Sequence, residues 1–159
     1  MNDSFVLSLK KDLDQLKVSY KDVDYRKCGY HLDVVAVDSC LKSCVQIFKS
    51  HQLYLVFVTA VQLKPLIQCN YQFAYYEGSY RIKLRVCVNE NNEIPTISDI
   101  YHGAEWHERE THDFFGVQFV GHPYLEPLLL AEEDADLKPL LKDEKNVKSL
   151  TDIFGGDKV

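Results

Sequence analysis

The sequence predicts an α+β fold: an antiparallel or mixed sheet with helices packed on one face, followed by an extended C-terminal tail. Three observations carry that prediction. Apolar residues recur at helical spacing in separate segments, β-rich runs with two-residue alternation lie among them, and the stretch 122–159 mixes acids, leucines and prolines with neither period. At 159 residues, 46% hydrophobic and 26% charged, the chain can bury roughly 70% of its unfolded surface in one core.

Phe5, Val6, Leu9, Leu13 and Leu16 follow the capping candidates Asp3 and Ser4 and predict an amphipathic first helix that covers one sheet face. Val23 and Tyr25, then "YHLDVVAV" from Tyr30 to Val37, read as two strands joined by a turn at Cys28-Gly29, the second strand central because it ends in a fully apolar run. Asp38 or Ser39 caps a second helix with Leu41, Val45 and Phe48 on one stripe, Cys44 beside them, ending near His51. "LYLVFVTAVQL" from Leu53 to Leu63 returns as a strand. Beyond Pro65, "IQCNYQFAYY" and "YRIKLRVCVNE" form a hairpin around Glu77-Gly78-Ser79, whose second arm alternates Ile82, Leu84, Val86 and Val88 with Arg81, Lys83, Arg85 and Cys87 and so keeps one wet face. "NENNEIP" is polar, contains Pro95 and reads as a loop. A helix is predicted over about 104–115, closed by Gly116 as a left-handed cap, with "VQFV" as a strand after it. The expected organisation is an α+β domain over 1–121 and an extended segment over 122–159 with one short helix at most.

Charge and composition exclude several functions. The net charge of -6, with Lys and Arg scattered among acids, is unsuited to neutralising a nucleic-acid backbone. The N-terminus has acids in its first turns and no apolar stretch ending in small residues, so no signal peptide is expected and the chain is placed in the cytoplasm. The longest apolar run falls short of the ~20 residues of a membrane helix, so membrane association is expected only through partners. Cys28, Cys40, Cys44, Cys69 and Cys87 form no CxxC pair; Cys40 and Cys44 share a helix face but read as core thiols rather than half a metal site.

The chemistry-rich stretch is "WHERETHDFFGVQFVGHP", Trp106 to Pro123. A metal site built from His102, His107, His112 and Glu108 is disfavoured by geometry, because His107 and His112 are five apart, about 140° round a helix, where a zinc-protease helix needs them four apart. Acid–base catalysis by Glu108, Glu110 and Asp113 lacks a glycine-rich cradle or a nucleophile elbow. The third reading places Trp106, Arg109, Glu110 and Asp113 on one stripe, with Glu105, Arg109 and Asp113 at four-residue intervals. This is a polar ladder either turned towards another protein or satisfied within itself. Phe114, Phe115, Val117 and Phe119 anchor it.

The run from Val88 to Leu130 resembles the 30-kDa subunit family of respiratory complex I, the NADH:quinone oxidoreductase, which also occurs in energy-converting membrane-bound nickel–iron hydrogenases. The likeness rests on the triplet Glu108-Arg109-Glu110, Asp113, the aromatic Phe115 before Gly116, Phe119 and Gly121-His122-Pro123, and the upstream hairpin and Ile94-Pro95 fit it too. It implies a hydrophilic peripheral-arm subunit with no redox cofactor or catalytic residue of its own. Its C-terminal segment would wrap a large (49-kDa-like or hydrogenase large) subunit beside iron–sulfur subunits, with the iron–sulfur clusters and, in the hydrogenases, a nickel–iron centre in those partners. Trp106, read from the stripe, joins Glu108, Arg109, Glu110, Asp113, Phe115, Gly116, His122 and Pro123 as the expected interface and structural residues. After His-Pro the chain departs from typical respiratory members: "PLLL" followed by acids, the late "KPLLKD", and Glu126 where arginine is common look more like the hydrogenase branch. The resemblance thus implies a cytoplasmic-side assembly subunit of a ferredoxin-linked hydrogenase, with NADH:quinone oxidoreductase as the alternative; outside the resemblance, His102, His107, His112 and Glu108 leave a free-standing metal-dependent hydrolase as a remote alternative.

Overall fold

The computed structural model describes residues 3–16 and 18–142. Its elements are helix α1 (Asp3–Asp14), strand β1 (Ser19–Asp22), the one-turn helix α2 (Tyr25–Cys28), β2 (Leu32–Ala36), a 3-10 turn (Asp38–Cys40), α3 (Leu41–Ser50), β3 (Leu53–Gln62), β4 (Ile67–Tyr75), β5 (Arg81–Cys87), β6 (Glu93–Pro95), α4 (Ala104–Phe115), β7 (Gln118–Val120) and a second 3-10 turn (Glu132–Asp134). The α+β class with a mixed sheet holds. Five strands run in the order β1-β2-β5-β4-β3, with β2 parallel to β5 and the other neighbours antiparallel.

Strand register divides the side chains cleanly between two faces. Val34, Leu84, Tyr71 and Val58 lie in one cross-strand row, flanked by Leu32, Ile82, Phe73 and Leu55. This is the core face. Leu9 and Leu13 of α1 and Val45 and Phe48 of α3 are buried with it, and the Phe48 ring meets Phe73 at 4.9 Å. Burying side chains of this size contributes about 1.5–3 kcal/mol each, and they hold both helices on that face. Helix α4 lies along β3, tied in by the Tyr101 hydroxyl, which donates to the Leu53 carbonyl at 2.6 Å just before the helix begins.

The structure corrects three sequence expectations. The first strand is Ser19–Asp22, not the Val23–Tyr25 region, which winds into α2 because the Asp24 carboxylate caps Arg26 N–H at 3.0 Å and Gly29 closes the turn at φ 77°. "NENNEIP" is not wholly a loop: β6 pairs in parallel with β7, with Ile94 opposite Phe119. The face of β5 read as wet is partly closed, since Arg85 and Asp33 are both buried. The described part of the tail contains one 3-10 turn; its last part, 143–159, including the Gly-Gly pair, lies outside the described residues.

Candidate functional site

Helix α4 ends at Phe115 and Gly116 takes the left-handed conformation at φ 72°, its N–H donating to the His112 carbonyl at 2.8 Å. A Cβ there would also meet the Lys138 side chain at 3.5 Å. The helix therefore stops where the sequence predicts, and the chain turns back through β7 into the Gly121-His122-Pro123 corner. From there the segment 124–130 runs beside the helix it has just left.

The helix presents two polar faces. Ala104, Glu108, Thr111 and Phe115, spaced i, i+4, i+7 and i+11, form the buried stripe. Glu108 is thus a carboxyl in the core. Its Oε1 accepts Ile97 N–H at 2.9 Å, its Oε2 accepts the Thr96 hydroxyl, and Thr96 in turn meets the Ser98 hydroxyl at 2.8 Å. Burial pushes the Glu108 carboxyl up to about 7; the bonds from Ile97 and Thr96 act the other way and are outweighed. His122 lies 4.0 Å from Oε2 with its ring almost wholly enclosed. Tyr124 N–H donates to its Nδ1 at 3.0 Å, so the ring proton sits on Nε2 and faces the Glu105 carbonyl at 3.1 Å. The histidine thereby sews the start of the tail to the start of the helix.

On the adjoining face, Arg109 and Asp113 grip the main chain of the tail. Arg109 donates through Nε to the Glu126 carbonyl at 2.9 Å and through Nη2 to the Pro127 carbonyl at 2.6 Å, and its guanidinium lies 5.0 Å from the Tyr124 ring centroid. One oxygen of Asp113 accepts Leu129, Leu128 and Leu130 N–H at 2.7, 2.9 and 3.3 Å. Burial alone would raise this carboxyl, but the three amides outweigh it and hold it below the ordinary value. The polar ladder read from the sequence is therefore not a chain of acid–arginine pairs. Arg109 spends its donors on carbonyls, while Trp106, 66% exposed, and Glu110 point to solvent.

His102 and His112 of the metal reading do not converge on Glu108. His102 is exposed near the start of the helix, His112 meets the Val117 carbonyl at 2.9 Å, and Glu108 faces the core. Among the described residues, no group of three or more His, Cys, Asp or Glu could hold a metal ion.

The sequence model of the family described as "Respiratory-chain NADH dehydrogenase, 30 Kd subunit" matches residues 34–150. The chain belongs to that family. The C subunit of NADH-quinone oxidoreductase from Roseiflexus castenholzii is 40% identical over 81 residues, 50% of this chain and 46% of that protein. The probable mitochondrial NADH-ubiquinone oxidoreductase 30.4 kDa subunit of Candida maltosa is 41% identical over 63 residues, 40% of this chain and 22% of that protein. The chain thus spans about half, or less, of the length of these relatives. A trypsin-resistant fragment of Nqo5 superposes with a TM-score of 0.61 at 25% identity, covering 74% of this chain and 98% of that one. A chain of the archaeal membrane-bound sulfane sulfur reductase superposes with a TM-score of 0.73 at 24% identity, over 84% of this chain and 81% of that one, and shares the fold.

Sequence reasoning missed the partners of these side chains. Thr96, Ile97 N–H and the backbone of 126–130 carry no side-chain signature for the role. The one available signal was the buried stripe, in which Glu108 stands among Ala104, Thr111 and Phe115.

Proposed function

We propose that this chain is a hydrophilic assembly subunit of a membrane-associated, complex I-related electron-transfer complex, and that helix α4 with the segment 122–142 forms its docking platform for the large subunit. The observation that supports this is the clamp itself. Arg109 and Asp113 use their hydrogen bonds on the tail's main chain, and His122 ties the start of the tail to the Glu105 carbonyl of the helix, which leaves tail side chains outward: Tyr124, Leu129, Leu137 and Leu140 are all at least half exposed, as is Trp106 on the helix. Apolar and aromatic groups fixed on a rigid backbone are what an interface core uses, because little side-chain and chain entropy remains to be lost on binding. The rest of the chain, 143–159, extends the docking segment in this reading. Redox groups belong to the partners: iron–sulfur clusters and, in the hydrogenase reading, a nickel–iron centre. No helix among the described residues is long and apolar enough to cross a membrane, and the subunit is proposed to sit on the cytoplasmic face, attached through those partners.

Within the family, "PLLL" followed by acids and Glu126 after the His-Pro corner favour the ferredoxin-linked nickel–iron hydrogenase branch. The second reading, NADH:quinone oxidoreductase, is favoured by the names of the relatives, which are NADH-quinone oxidoreductase subunits. Affinity purification of the tagged chain from its own cells decides both points. Co-purification of a large subunit with nickel and hydrogen-evolving activity supports the hydrogenase reading; a large subunit without nickel but with quinone reduction supports the other. Recovery of the chain alone contradicts the subunit role.

A further inference from the structure

The alternation along β5 that predicts a wet face also predicts what that face carries, and the register completes it. Opposite the helices, Lys21, Asp33, Lys83, Gln72 and Phe57 form one row across all five strands, and Ser19, Val35, Arg85, Asn70 and Thr59 form the next. Arg81 pairs with Ala74, and Ala74 with Tyr54, in the row beyond. The paired strands therefore turn four cations and one carboxylate to this side of a chain whose net charge is -6. Asp33 accepts Arg85 through both oxygens at 2.8 and 3.0 Å in the floor of the face. Among the described residues, Lys21, Arg81 and Lys83 form no ion pair. Lys83 lies half-buried with its ammonium 5.5 Å from the Tyr30 ring centroid, and burial lowers its pKa below that of an ordinary lysine. Towards β3 the face becomes aromatic, with Phe57 and with Tyr54 against Tyr76 at 4.5 Å, Tyr76 being 76% exposed.

We propose that this sheet face is a second docking surface, for an acidic surface of another protein in the same assembly. Carboxylates of that partner meet Lys21, Arg81 and Lys83, and its apolar rim meets Tyr54, Phe57 and Tyr76. The inference rests on the subunit role proposed above. Charge complementarity selects the occupant, since three cations that form no ion pair among the described residues, one of them partly desolvated, gain most from carboxylates brought onto the same face. Size sets its part in the assembly. Four inter-strand spacings of ~4.8 Å by the seven residues of β5 give on the order of 450 Å², about half of one partner's share of a standard interface. Such a patch supplements the contact made by the tail rather than replacing it. A second copy is the poorer occupant, because a basic face meeting the exposed acids of Glu132–Asp134 is a head-to-tail contact with no closing symmetry. An anionic bilayer is also poorer, because Arg85 is buried and already paired with Asp33, and Lys83 is half-buried against Tyr30, so neither is free to reach a headgroup plane.

Carbodiimide cross-linking of the intact purified complex, read by mass spectrometry, tests this directly. The expected result joins Lys83 or Lys21 to an Asp or Glu of another polypeptide. Links only within the chain, only to a second copy, or none at these lysines while the large subunit still co-purifies overturn the inference and leave the tail platform standing. If nothing co-purifies, both fail. Independently, the variant Lys21→Gln/Arg81→Gln, at two exposed positions, spares the Asp33–Arg85 pair. It is expected to weaken retention in the complex at moderate salt about tenfold; unchanged retention overturns the inference, as does flotation of the wild-type chain on phosphatidylglycerol vesicles that this variant abolishes.

Discussion

Replacing Asp113 by Ala removes the acceptor of three main-chain donors at once. Hydrogen bonds to an ionised group contribute about 1.5–3 kcal/mol each, but these three share one oxygen and the Leu130 bond is long at 3.3 Å. Together they are worth about 3 kcal/mol rather than the sum. Loss of that amount raises the open population of segment 128–130 about 100-fold. The assay is amide hydrogen exchange near neutral pH. Exchange at Leu128, Leu129 and Leu130 should accelerate about 100-fold in the variant, while Tyr71 and Phe73 in the core of β4 change little. The wild-type clamp also has a predictable acid limit. Its folded carboxyl lies below the unfolded value of about 3.9, so the contribution is complete above that pH and is lost as pH falls through the folded pKa. An Asp113→Ala chain whose 128–130 amides exchange within threefold of wild type would refute the clamp.

Four further outcomes follow from the same geometry. Glu108→Gln keeps an acceptor for Ile97 and a donor for Thr96 but cannot ionise. Because the wild-type carboxyl is raised from 4.5 to about 7, the folded chain holds a proton that the unfolded chain has released, so wild-type stability falls by about 3 kcal/mol as pH rises across that window and stays level above it. Urea denaturation at pH 5 and pH 8 should show that loss in the wild type and a flatter profile in the variant. Arg109→Lys replaces a two-pronged donor by a point charge and gives up contact with Tyr124, costing about 1–2 kcal/mol of tail attachment, measurable as faster cleavage between 124 and 130 in limited proteolysis. Gly116→Ala forces a Cβ into the left-handed region and should lower stability by about 1 kcal/mol in the same denaturation assay. Asp33→Ala takes the bidentate carboxylate from buried Arg85 and should cost about 3 kcal/mol, read as a lower denaturation midpoint.

What is legible in the sequence is what local physics decides. The ends of α4 follow from helix propensity and a stop glycine, and β5 follows from strict alternation, each within a dozen residues. What is hidden depends on partners far along the chain. Strand β6 exists because β7 lies beside it, more than twenty residues later. The displaced first strand reflects Asp24 competing for the backbone as a cap, a choice hydrophobic periodicity does not report. In the site, the stripe is readable and its use is not. Arg109 and Asp113 sit on one face as expected, but their partners are main-chain atoms of 126–130, which would look the same with other side chains. Glu108 reads as one acid of the signature triplet, although its wheel position falls among Ala104, Thr111 and Phe115, where burial is the rule.

In the proposed assembly, α4 holds the tail in the form that a large partner subunit binds. The most direct test is to purify the complex from cells carrying a tagged wild-type chain or the Arg109→Ala/Asp113→Ala variant, and to quantify the large subunit recovered per copy of chain. Near-stoichiometric recovery is expected with the wild type and at least a tenfold loss with the variant, whose sheet domain remains folded by circular dichroism. Equal recovery of the large subunit by both chains would contradict that role of α4.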